Sequence, residues 1–150
     1  MTSGFAESDF ARAVAVVGGA ASPQALAAEF GIDWEYLTLL GLGVANEVLD
    51  DPSLVTGGAQ AFYAGFLIGV QLDEHDGPIG GRLPLAVELV GRRGLHAVIA
   101  DRCDLAAVAR FESTYATALV ASLDLRADAE PPLTRLFESG LATGLALGCL

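Results

Sequence analysis

The chain has 150 residues, 53% of them hydrophobic, and a formal net charge of −11 with eight arginines and no lysine. That apolar content at that length predicts one folded domain and excludes a disordered chain. So large an excess of carboxylates opposes phosphate backbones and anionic lipid, so neither nucleic acid nor a membrane is expected as a partner.

Ala, Leu, Val and Gly dominate while aromatics make up 7%, which favours close-packed helices over a β-sandwich. The expected fold is therefore all-α, a single-domain bundle of about six to eight helices. Ser8-Asp9 caps a first helix to about Val17, ended by Gly18-Gly19, and Ser22-Pro23 opens a short helix stopped by Gly31. Asp33 caps a third helix to about Leu49. Only Thr38 is polar from Leu37 to Ala45, so burial on nearly all sides is expected.

Asp50-Asp51-Pro52-Ser53 breaks that helix, and a fourth contains Phe62-Tyr-Ala-Gly65-Phe-Leu-Ile-Gly69. Gly65 and Gly69, four apart, share one face and leave a groove where a second backbone can approach. Asp73 to Gly81 reads as a linker. Beyond it come a helix over Leu85 to Val90 or Arg92 and an ambiguous segment from Leu95 to Ala100. A long helix capped by Asp104 follows, striped by Leu105, Val108, Phe111, Tyr115, Leu119 and Leu123. A polar loop, Arg126 to Glu130, leads through Pro131-Pro132 into Phe137-Glu-Ser-Gly140-Leu-Ala-Thr-Gly144.

The two glycine-spaced helices match at a constant separation of 75 residues: Phe62 with Phe137, Gly65 with Gly140, Gly69 with Gly144. Apolar positions elsewhere, such as Phe10 with Leu85 and Leu40 with Tyr115, keep the same separation. The recurrence predicts two similar halves, residues 1–75 and 76–150, with the glycine helices crossing at a pseudo-twofold axis. Charge divides unequally between them. The first holds ten carboxylates and only Arg12; the second holds nine carboxylates and seven arginines.

Candidate chemistry is sparse. Leu26 to Leu37 resembles the helix-turn-helix sequence pattern, but its second helix offers Asp33, Trp34, Glu35, Tyr36 and Thr38 where a DNA reader presents Arg, Lys, Asn or Gln. Asp73, Glu74, His75 and Asp76 are metal-ligating types at a helix end, yet consecutive residues cannot all face one ion. His96, Arg102 and Cys103 are the candidate ligand-binding residues, with His96 the nearest base to a cysteine nucleophile. No catalytic signature, Glu-x-x-His pair or phosphate loop is present, so no catalytic residue and no cofactor is expected.

Two cysteines suggest a reducing compartment. The first residues show no basic stretch followed by an apolar run. The apolar stretches are expected to end short of the roughly 18–20 residues that span a bilayer. Cytoplasmic localisation follows. The function expected is a non-enzymatic interaction module, an adaptor, assembly factor or regulator, acting through an acidic helical surface and forming a homodimer. The alternative is a small-molecule binder or enzyme with its pocket between the halves.

Overall fold

The computed structural model describes residue 5 and residues 7–19, 22–72 and 82–149. The Asp73–Asp76 cluster and the linker after it lie outside the described residues. Among those described there are eight α-helices and no strand, as expected of an all-α chain. They are α1 (Glu7–Gly19), α2 (Pro23–Glu29), α3 (Trp34–Val48), α4 (Val55–Leu72), α5 (Leu83–Arg93), α6 (Leu95–Arg102), α7 (Leu105–Ser122) and α8 (Glu130–Ala146). Short 3-10 turns stand at Pro52–Leu54, Ala127–Ala129 and Leu147–Cys149.

Local chemistry accounts for most of the helix ends. Ser22 Oγ accepts from Ala25 N at 3.0 Å with Pro23 in the first turn, and Asp33 accepts from Glu35 N at 3.0 Å. Asp104 caps α7 by accepting from Ala106 N at 3.0 Å. Each satisfies an amide that has no partner inside its helix. Helix α1 starts ahead of the expected Ser8-Asp9 cap, and Asp9 instead pairs with Arg12 one turn on. Helices α5 and α8 begin earlier than expected, taking in Pro84 and Pro131-Pro132. Proline is tolerated there because first-turn amides have no helical acceptor. The ambiguous Leu95 segment is the helix α6.

Helices α4 and α8 form the centre; α1 and α3 pack on α4, and α5, α6 and α7 on α8. Every residue from Gly65 to Val70 and from Gly140 to Leu147 is buried. The two run in the same direction, since Gly57 lies beside Leu133, Gly58 beside Leu136, and Gly69 beside Gly144 and Leu145. A Cβ added at Gly65 would strike Phe137 O and Leu141 N; one added at Gly140 would strike Phe62 O and Phe66 N. Gly69 faces Leu141 O and Leu145 N, and Gly144 faces Phe66 O and Val70 N. These contacts exchange with one another under a shift of 75 residues.

Outside the central pair the buried pairs Gly41 with Ala116 and Ala45 with Val120 keep that register, but the caps Asp33 and Asp104 lie 71 apart. Phe10 is 1% exposed, whereas Leu85 is 53% exposed. Matching α3 to α7 by these caps pairs Leu37 with Val108, Ala45 with Ala116 and Leu49 with Val120, all buried. The loop from α7 to the Ala127–Ala129 turn restores the separation of 75. Around the centre, Phe111 of α7 stacks on Phe10 of α1 (ring centroids 5.9 Å) and tilts against Phe137 of α8 (5.5 Å).

Two expectations are corrected. Pro52–Leu72 runs for 21 residues without a charge, long and apolar enough to cross a bilayer by length and composition; 61% of its 18-residue apolar window is buried in the bundle, as the core helix of such a fold must be. Helix α3 is not buried on nearly all sides. Only Leu37, Gly41 and Ala45 are buried, because α4 packs mainly along one stripe of it and the opposite side stays exposed.

Replacing Gly65 or Gly140 with alanine drives a methyl into a backbone carbonyl and should cost about 1–3 kcal/mol or more, read as a lower Tm. Gly91→Ala is the control, since its Cβ meets nothing within 4 Å. It should gain roughly 0.5–1 kcal/mol from helix propensity. A Gly140→Ala variant that melts like the wild type would contradict the backbone contact.

Candidate functional site

The outer face of α3 carries Tyr36, Leu39 and Gly43, all exposed and spaced so that they line one side of the helix, with half-buried Leu42 one turn beyond Leu39. Leu39 is 65% and Tyr36 40% exposed, and a Cβ at Gly43 would meet nothing. The exposed amide of Asn46 closes this apolar strip at its C-terminal end. Exposed carboxylates surround it: Asp33 and Glu35 at its start, Glu47, Asp50 and Asp51 at its end. Hydrogen bonds from the Ser53 hydroxyl and amide hold the Asp51 carboxyl below its usual range and keep it charged. No arginine occurs between Arg12 and Arg82. Behind the strip, Trp34 tilts onto Tyr63 (ring centroids 5.3 Å), and Tyr63 Oη donates to Thr38 O at 3.1 Å. The face is therefore a short apolar strip within an acidic rim, backed by a fixed aromatic layer.

The three residues nominated for ligand binding do not converge. Cys103 is 5% exposed, and burial pushes its thiol up to about 12 against a smaller opposing pull from Arg102. It stays protonated at neutral pH, unlike an activated nucleophile. Arg102 is a structural clasp: Nη1 donates to Leu145 O at 3.3 Å, and the guanidinium lies 5.7 Å from the centre of the Phe5 ring. Phe5 itself is held by its N donating to Arg102 O and its O accepting from Asp104 N, at 2.8 and 2.9 Å. His96 lies at the other end of α6 from Cys103, about 10 Å along the axis.

His96 instead faces a group that the sequence reading missed. Its Nε2 is 3.4 Å from Glu138 Oε1 on α8, and Glu138 shares a hydrogen bond with Glu112 on α7. Glu112 Oε2 is buried without a hydrogen-bond partner. Burial first, then the Glu138 charge and the bond between them, raise the Glu112 carboxyl to about 8. A shared bond requires one proton, and Glu112 holds it. A cleft of about 400 Å³ opens beside the pair, lined among others by Ser113, Glu130, Thr134 and Arg135. No group of three or more His, Cys, Asp or Glu is placed to hold a metal among the described residues. The legible signal was Glu112 lying four residues from both Val108 and Ala116 on the buried side of an amphipathic helix.

Cys149 is exposed and Cys103 buried, so a thiol-alkylating reagent at neutral pH should label the native protein once, at Cys149. Cys149→Ser should remain unlabelled until denatured; prompt labelling of that variant would mean that Cys103 is open. Comparison of the chain with protein-family models, curated proteins and solved structures finds no match.

Proposed function

We propose that this protein is a non-enzymatic interaction module, an adaptor or regulator, whose α3 face docks a basic amphipathic helix of a protein partner. The observation that carries this reading is the strip of Tyr36, Leu39 and Gly43 left uncovered within a ring of carboxylates. Burial of an exposed leucine contributes about 1.5–3 kcal/mol, and the surrounding charge selects a partner with Lys or Arg beside its apolar stripe. Asn46, at the edge of the strip, offers an amide that can both donate to and accept from a partner. A second copy of this chain is disfavoured on the same face, because Glu35 and Glu47 would meet their own counterparts.

The proposal also draws on the comparison of the halves, which we take to descend from a duplicated unit of three helices, a 3-10 turn and a fourth helix. Aligned at their caps Asp33 and Asp104, Leu39 corresponds to Arg110, Leu42 to Ser113, Gly43 to Thr114 and Glu47 to Ala118. Apolar residues within an acidic rim thus belong to the outer face of α3 and not to its counterpart α7, which argues for a role specific to the first half.

A fluorescent helical peptide of alternating leucine and lysine stripes, titrated with the protein, tests this. Binding should weaken with salt and weaken about tenfold or more for Leu39→Ser, which leaves the charge unchanged. A matching leucine-glutamate peptide should not bind. Equal binding of both peptides, or of wild type and Leu39→Ser, would refute the assignment. A dimer in solution that Leu39→Ser dissociates would assign the face to a second copy instead.

A further inference from the structure

The two halves differ most sharply where α7 meets α8. In the first half, the Tyr63 ring packs on Gly41, so closely that a Cβ there would strike the ring. Tyr63 Oη also ties the two helices together through Thr38 O at 3.1 Å. Aligning α3 and α7 at their caps Asp33 and Asp104 places Glu112 opposite Gly41, and the register of the central helices places Glu138 opposite Tyr63. A neutral aromatic contact that is indifferent to ordinary pH is thus replaced by two carboxyl groups. They can stay together only while they share a proton, because two carboxylates at hydrogen-bond distance repel and the buried Glu112 Oε2 has no protein donor to compensate it.

We propose that Glu112 and Glu138 form a proton-dependent latch that holds α7 on α8 while they share a proton and loosens that seam when the proton is lost. The surroundings fit this assignment. From α6, His96 lies 3.4 Å from Glu138 and is 79% exposed. From α8, Glu130 and Arg135 line the adjoining cleft, and Glu130 accepts from Thr117 Oγ1 at 3.3 Å. From α1, Phe10, Ala11 and Val14 meet the neighbouring stretch of α7 and carry no titratable group. In the turn before α8, Asp128 pairs with Arg126 at 3.7 Å and both are well exposed.

Loosening has somewhere to go. The cleft of about 400 Å³ lies on one side of α7, and a groove of about 760 Å³ lined by Phe10, Val14, Arg110 and Phe111 lies between it and α1. Movement of α7 would widen both. The sign follows from the raised carboxyl: the folded state binds a proton that the unfolded chain gives up near 4.5. This contribution to stability is therefore complete below that pH and lost as pH rises through about 8.

Hydrogen exchange, corrected for the intrinsic pH dependence of the chemistry, reads the latch helix by helix. From about pH 6 to about pH 9 wild-type α7 should lose protection while α3 does not. Between about pH 6 and pH 8 the loss should approach about tenfold per pH unit, the limit for one proton, and it should level off above pH 8. Glu112→Gln supplies a permanent neutral donor to Glu138, so protection of α7 should be flat over the same range. A carboxyl-carbon NMR titration of the wild type gives an independent reading: Glu112 should titrate near 8. Titration in the ordinary carboxylate range, or the same exchange profile for wild type and Glu112→Gln, would overturn the latch. Equal loss of protection in α3 and α7 would also overturn it, as general alkaline unfolding.

Discussion

Direct backbone contact between α4 and α8 is the constraint on which the rest of the molecule depends. Carbonyls of Phe62, Phe66, Phe137 and Leu141 occupy the space that side chains at Gly140, Gly144, Gly65 and Gly69 would otherwise fill. Helices that close bury nearly every neighbouring residue, so the core consists of two parallel helices and the six others form a layer around them. Parallel neighbours cannot be joined by a short turn, and α5, α6 and α7 supply the long connection. At the four glycines the contact is between backbone atoms. Its strength comes from dispersion over a large, closely fitted area.

A centre built from glycines is narrow, and this governs what the outer helices can bury. Helix α3 meets α4 along the stripe of Leu37, Gly41 and Ala45, leaving Tyr36 and Leu39 exposed on the other side. Helix α7 has the same inward stripe but a polar outer side with Ser113, Thr114 and Thr117 exposed. Equivalent positions in one architecture therefore have different surface chemistry. The proposed docking role rests on that contrast, since scattered apolar exposure is ordinary on protein surfaces.

The same comparison isolates the carboxyl pair. A tyrosine packed on a glycine and two glutamates sharing a proton both fill the seam between a peripheral and a central helix, but their dependence on solvent differs. The aromatic contact responds to packing alone. The carboxyl pair couples packing to proton activity, because the ionised form leaves a buried oxygen without a partner. Tyr115, next to this seam and raised to about 12 by burial, stays neutral and adds packing without a second titration in the physiological range.

By itself the sequence determined the helical class, the caps at Ser22, Asp33 and Asp104, and the shared spacing of the two glycine pairs. Each depends on residues within a few positions of one another: periodicity, a side-chain oxygen near free amides, or a missing Cβ. It also showed the acidity of the first half, which is a matter of counting. Tertiary structure decided which side of α3 is covered, because an apolar run has no orientation until a partner helix lies against it. It separated His96 from Cys103 and joined His96 to Glu138, since proximity in sequence says little once a helix intervenes. It also brought together Glu112 and Glu138 from different helices, a pairing that no local pattern encodes, because their shared proton exists only where α7 packs beside α8.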